Sequence, residues 1–192
     1  MKTVYLTGAP GSGKTTALDG IQSRMPEIAC WKYSERLAEH LSRSAGAAVD
    51  HHILRSKSAG IVTPADIEAV DMALTEFVAS SRGVRHVIID SHPVTKEAYG
   101  FRCTPFSTDG LLSLNLDEIW VTYVDAGTTL SRLGTSETGR QPVTSDEAAF
   151  HTSMQASVAI QYGIAAGRPV YFFNTAAPPN DVVGQMLKRL QR

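Results

Sequence analysis

Short apolar runs with β-branched and aromatic residues alternate along the chain with longer segments of helical character, and polar stretches containing Gly or Pro separate them. Thr3-Val4-Tyr5-Leu6-Thr7 is one such run and stops at Gly8, while the segment from Lys14 to Met25-Pro26 is helix-compatible. The pattern predicts a strand, a loop and a helix in that order. Ile28 to Tyr33 predicts a second short strand, and Leu37 and Leu41, spaced i, i+4, give one apolar face to a helix over Ser34 to Leu41. No strand signal appears from Ser44 to Ser81; Thr63 as N-cap and Pro64 in the first turn predict a helix from Ala65 to Ser81. Val84 to Asp90 is a third strand, and because Val87-Ile88-Ile89 is continuous in apolar character it is expected to be buried on both faces. Ser91 to Asp109, rich in Pro, Gly, Ser and Thr, predicts a loop. Glu118 to Val124 and Pro169 to Phe173 are the fourth and fifth strands, with a helix at Asp146 to Ala166 between them and a terminal helix from Asp181 to Leu190. Strands alternating with helices predict an α/β fold with a parallel sheet covered on both faces, without repeats or a low-complexity linker.

Composition narrows the class. Eighteen Lys plus Arg against 19 Asp plus Glu leave a formal charge of −1, which argues against a protein that coats DNA or another polyanion. At 192 residues and 43% hydrophobic content, one core and one domain over residues 1–192 are expected. No purely aliphatic run exceeds three residues, as in Val87-Ile88-Ile89, so no membrane span is expected. No leader is expected either, because the stretch after Met1-Lys2 reaches a Gly-rich loop by Gly8. Two cysteines, Cys30 and Cys103, form neither a metal cluster nor a disulfide framework, and a cytoplasmic protein is expected. The oligomeric state leaves no mark in the sequence.

Gly8-Ala9-Pro10-Gly11-Ser12-Gly13-Lys14-Thr15 satisfies the phosphate-loop pattern G-x-x-x-x-G-K-S/T without a mismatch, between a predicted strand and a predicted helix. Glycines are needed there because successive backbone N–H groups must converge on one triphosphate, and the helix N-terminus adds positive potential. Gly8, Ala9, Pro10, Gly11, Ser12, Gly13, Lys14, Thr15 and Thr16 are therefore the expected ATP-binding residues, with Lys14 reaching the β- and γ-phosphates and Thr15 a ligand of Mg²⁺. The competing reading is a Gly-rich turn. Val87-Ile88-Ile89-Asp90 has the form of the buried strand whose terminal acid orients magnesium, which makes Asp90 the second expected metal residue, although strand-ending Asp also serves as a turn former. A chain this short is expected to be a small-molecule phosphotransferase and not a motor or AAA-type ATPase, which need larger modules.

Four stretches resemble the nucleoside monophosphate kinase family, and within it the archaeal-type adenylate kinases. They are Val4 to Thr16; Asp90-Ser91-His92 with Lys96 and Tyr99-Gly100; Arg132-Leu133 with Glu137-Thr138 and Arg140; and Gln161-Tyr162-Gly163 with Ala166-Gly167. The resemblance implies a three-layer P-loop NTPase sandwich with a five-stranded parallel sheet in the order 2-3-1-4-5. It also implies a helical acceptor-binding insertion near residues 34–82 and a short lid near residues 132–145. Two departures stand out. Gly139-Arg140-Gln141-Pro142 offers one arginine where that family has two, and the acceptor region from Tyr33 to Arg55 matches loosely, with Glu35 and Arg36 replacing small or apolar residues.

On this reading Lys14, Arg132, Arg140 and Asp90 are the expected catalytic residues, since in-line phosphoryl transfer spreads charge over oxygens that cations must reach. Ser34, Arg55, His92, Lys96 and Arg102 are expected to face the acceptor, and Tyr99, Phe101 and Phe106 are candidates for a stacking wall or for core packing. His51-His52 point to different faces of any regular element and make a poor metal site. The expected activity is ATP- and Mg²⁺-dependent phosphoryl transfer to a nucleoside monophosphate. An alcohol acceptor with Asp90 as base, or an ATP-dependent switch or slow ATPase, are the alternatives.

Overall fold

The computed structural model describes residues 1–45, 60–134 and 142–192. Five parallel strands form the main sheet: β1 (Thr3–Thr7), β2 (Ala29–Lys32), β3 (Val87–Asp90), β6 (Glu118–Tyr123) and β7 (Val170–Asn174). Their spatial order is β2-β3-β1-β6-β7. Counted among themselves these strands run 2-3-1-4-5; the last two carry higher numbers because an antiparallel hairpin of β4 (Val94–Glu97) and β5 (Gly100–Cys103) precedes them. That hairpin replaces part of the loop expected from Ser91 to Asp109. Val94 is fully buried, and its carbonyl accepts from His151 Nε2 at 3.0 Å and Gln155 Nε2 at 3.1 Å. Tertiary bonds thus fix β4, and local propensity does not register them.

Helices cover both faces. α1 (Lys14–Arg24) and α7 (Pro179–Leu190) pack Leu18, Ile21, Val183 and Met186 onto Val4, Leu6, Ile88 and Trp120. On the other face α3 (Pro64–Ser81), α4 (Thr108–Ser113) and α6 (Ser145–Ala166) press Leu74, Val78, Leu111 and Ala159 onto Tyr5, Ile89 and Ile119. All five residues of β1 are buried, as befits a central strand sandwiched between two helix layers. α2 (Tyr33–Ala45) follows β2 without a break, and α5 (Ala126–Gly134) follows β6. The α3 start is the one the sequence specifies, sharpened by a capping box in which Thr63 and Asp66 satisfy each other's backbone N–H. A Cβ on Gly163 would meet Val170 Cγ2 at 2.5 Å, so this glycine lets α6 lie against β7. α6 ends at Gly167 in the left-handed conformation (φ 63°).

Candidate active site

The strand-to-helix turn after β1 is held in shape from behind. Gly11 and Gly13 have φ of +80° and +77°, a region that side chains disfavour, and a Cβ on Gly8 would meet Thr122 Oγ1 at 2.3 Å. Ser12 N–H donates to the Ala9 carbonyl at 3.0 Å, while Ser12 Oγ pairs with Thr122 Oγ1 at 2.8 Å. Two outer residues hold the loop's carbonyls: Thr175 Oγ1 donates to Ser12 O at 2.8 Å and Arg132 Nη1 donates to Gly11 O at 3.0 Å. Arg132 also donates to Thr175 Oγ1 and O at 3.1 and 2.8 Å. Arg132, expected at the entry of a short lid near residues 132–145, lies on α5 and is bonded to the loop itself. Thr175 was not anticipated, and only its place just past the last strand could have marked it.

No side chain caps the first N–H groups of α1, whose N-cap is Gly13, so its positive end opens toward the loop. Lys14 Nζ forms an ion pair with Asp90 Oδ1, with both side chains 14% exposed. Thr15 and Thr16 are exposed. Backbone N–H groups, an ammonium and a hydroxyl on the turn, with the Asp90 carboxylate from the end of β3 against Lys14, form a set suited to a phosphate chain and a hard cation. Among the described residues no group of three His, Cys, Asp or Glu could hold a metal by itself.

The expected acceptor residues are dispersed. Ser34 is exposed in the first turn of α2, and His92 is partly exposed next to the buried Ser91. Lys96 is ion-paired to Glu147 and lies 5.2 Å from the Phe101 ring, while Arg102 Nε stands 3.5 Å from Glu97 Oε1. Arg55, Arg140, Glu137, Thr138 and His51-His52 lie outside the described residues. The stacking wall divides: Tyr99 is 71% exposed, Phe101 packs on Phe150 and His151, and only Phe106 stands near the C-terminal edge of the sheet.

That edge carries a cluster the sequence did not disclose. Tyr5, Tyr33, Phe106 and Tyr162 meet with ring centroids 5.4–6.1 Å apart. Tyr33 Oη donates to Asp71 Oδ1 at 2.7 Å, and Tyr162 Oη accepts from Phe106 N–H at 2.8 Å. Burial, followed by the nearby Asp71 charge, pushes the Tyr33 phenol above its usual range, and burial alone raises the Asp71 carboxyl. Its members come from β1, α2, α3, α6 and, with Phe106, the loop before α4, far apart in the chain. Beside it Thr7 Oγ1 donates to Gln155 Oε1 at 3.2 Å, which ties the end of β1 to α6 and, through Val94, to the hairpin.

A protein-family model described as an AAA domain matches residues 7–149. The match takes in the phosphate loop and Asp90, and agrees with the expectation of a P-loop phosphotransferase. No curated protein sequence matches the chain. Among solved structures, an unliganded sugar kinase from Janibacter sp. HTCC2649 superposes with a TM-score of 0.58 at 16% identity, covering 100% of this chain and 95% of that one. Shikimate kinase from Acinetobacter baumannii in complex with shikimate gives 0.54 at 13% identity over 100% and 93% of the two chains. Deoxyadenosine kinase from M. mycoides, bound to dCMP and dCDP, gives 0.53 at 11% identity over 98% of each. At these identities the likeness is one of fold. No described helix is long and apolar enough to cross a membrane.

Proposed function

The chain belongs to the AAA domain family, and on that premise we propose that it transfers the γ-phosphoryl group of ATP, with Mg²⁺, to a small-molecule acceptor. The observation that carries this reading is the Lys14–Asp90 ion pair at the mouth of a complete phosphate loop, where an ammonium and a carboxylate stand where phosphate and cation would enter. The loop N–H groups and the α1 N-terminus cradle the phosphates, and Lys14 exchanges Asp90 for the β- and γ-oxygens. Thr15 and Asp90 are the residues that would hold Mg²⁺, which neutralises charge as it develops. Arg132, anchored on the loop carbonyls, and Arg140 are the cations assigned to the transferring group. One domain, with an acceptor-binding insertion near residues 34–82 and a lid near 132–145, completes the proposal.

An uncharged hydroxyl acceptor fits the side-chain pairing better than an anion, because two of the cations expected to grip an acceptor phosphate, Lys96 and Arg102, stand beside acids. With such an acceptor Asp90 serves as the base in place of holding Mg²⁺, taking the hydroxyl proton as the acceptor oxygen bonds to the γ-phosphorus and the bond to the bridging oxygen of ADP breaks. A nucleoside monophosphate, with Arg55, His92 and Ser34 at the acceptor, is the second reading, supported by the adenylate-kinase-like motifs at Asp90 to Gly100 and Gln161 to Gly167. The structural likeness to sugar, shikimate and deoxyadenosine kinases supports phosphoryl transfer to a small molecule without favouring a monophosphate. ADP release measured with ATP and Mg²⁺ against a panel of sugars, nucleosides and nucleoside monophosphates tests the proposal. ADP formed only with one acceptor class upholds it, whereas ADP formed at the same rate without any acceptor makes the protein an ATPase or switch.

A further inference from the structure

We infer that Tyr5, Tyr33, Tyr162 and Asp71 form the acceptor's recognition site, built for an uncharged ring compound that presents O–H or N–H donors. The inference rests on the phosphotransferase reading for its direction and on hydrogen-bond accounting for its content. Tyr5 is fully buried, and its hydroxyl makes no hydrogen bond of normal length and angle; the Ser91 and Thr7 hydroxyls interact with it only weakly. Buried hydroxyls in folded proteins are nearly always bonded, so this one points to a group that arrives with a ligand or with the water a ligand orders. Asp71 takes one proton, from Tyr33 at 2.7 Å, and its second carboxylate oxygen is left to accept another. Tyr162 accepts from Phe106 N–H at 2.8 Å and keeps its own proton to donate. The cluster therefore offers two O–H donors and one carboxylate oxygen, the complement of a ring whose hydroxyl groups both accept and donate.

Its position matches the proposed chemistry. Asp90 turns to Lys14 on the α1 side of the sheet, and the next residue, Ser91, lies by Tyr5 on the other side, as alternation along an extended chain requires. An acceptor seated against the partly exposed rings of Tyr33 and Phe106 would reach past Ser91 toward Asp90. The hydrogen bonds of Tyr33 and Tyr162 run to Asp71 and to the Phe106 backbone and not to a cationic side chain, and the Asp71 carboxylate would repel a phosphate placed there.

The test uses the whole protein and three probe sets: free sugars, nucleosides, and nucleoside 5′-monophosphates. Asp71→Asn keeps an oxygen for Tyr33 and replaces the open acceptor with a donor, while Tyr5→Phe removes only the hydroxyl. With the acceptor class that supports turnover, Asp71→Asn should raise acceptor KM at least 10-fold and Tyr5→Phe about 5-fold, with the ATP KM within twofold of wild type. Tyr5→Phe should keep or raise Tm, which separates a ligand contact from a structural one. Turnover with sugars but not nucleosides, or the reverse, identifies the ring. Preferential turnover of the monophosphates, or an acceptor KM unchanged in both variants, overturns the assignment. Should no compound elicit ADP, thermal shift decides. A Tm rise with a sugar or nucleoside that is lost in Asp71→Asn keeps the site while the phosphotransferase reading falls, and no rise with any probe overturns the site as well.

Discussion

The two ends of the sheet treat buried polar groups in opposite ways. At the N-terminal end, Glu118 is 4% exposed and its oxygens accept from Lys2 Nζ at 2.6 Å, Trp120 Nε1 at 2.8 Å, and Arg189 Nε and Nη2 at 2.9 and 2.8 Å. Lys2 also donates to the Arg189 carbonyl at 2.6 Å, and the Arg189 guanidinium lies 3.4 Å from the centre of the Tyr171 ring. Burial alone would raise the Glu118 carboxyl, but the bonds from Arg189, Lys2 and Trp120 outweigh it and hold the pKa down to about 2. At the C-terminal end, the Tyr5 hydroxyl makes no hydrogen bond of normal geometry, Asp71 has an oxygen beyond the one Tyr33 bonds, and Lys14 pairs with Asp90 at the mouth of the loop. Groups that saturate one another stabilise a fold; groups left with spare valences can take a ligand. This end of the sheet is also where open α/β folds place ligands.

The comparison yields predictions in decreasing order of size. Lys14→Ala should lower phosphotransfer at least 10³-fold, about 4 kcal/mol of transition-state stabilisation, with Tm within a few degrees of wild type, since Lys14 and Asp90 are both partly exposed. Steady-state rates and a melting curve on the same preparation check both halves. Glu118→Gln should do the converse: a loss of about 3 kcal/mol in denaturant unfolding, because it leaves Lys2 and Arg189 facing a neutral group, with kcat nearly unchanged.

The same carboxylate sets a pH window. Its folded pKa of about 2 lies below the reference value of 4.5, so its contribution of about 3 kcal/mol is complete above pH 4.5 and is lost as the pH falls toward 2. Urea midpoints between pH 6 and pH 2.5 should fall in wild type and fall less in Glu118→Gln.

What the sequence disclosed follows the same division. The phosphate loop is legible because its spacing is local and the flanking strand and helix confirm it; Asp90 is legible because an apolar run ends on it. Thr63 and Pro64 disclosed α3 through capping chemistry confined to a few residues. The β4–β5 hairpin was not legible, since Val94 is fixed by side chains of His151 and Gln155 nearly sixty residues away. The Glu118 network joins Lys2 to Arg189, and the tyrosine cluster joins residues 5, 33, 71 and 162, so neither has a spacing to read. Arg132 was identified as a candidate by motif, but its role as a strut for Gly11 and Thr175 depends on packing of α5 that no periodicity encodes.

Two smaller effects sharpen the contrast. Arg132→Ala removes bonds to Gly11 and Thr175 and a proposed cation at once, and should lower turnover about 10²-fold, near 2.7 kcal/mol, with a visible rise in ATP KM. A drop in kcat with unchanged ATP KM would assign Arg132 to the transferring group alone. Thr63→Ala breaks the α3 capping box and should cost about 1 kcal/mol of stability, measured by denaturant midpoint, without changing ATP KM.

The most direct measurement is ADP release by the wild-type protein with ATP and Mg²⁺, in the presence and absence of each acceptor class. The account predicts release that depends on an acceptor, is saturable in it, and disappears in Lys14→Ala. Release that ignores every acceptor, or that survives the loss of Lys14, would contradict it.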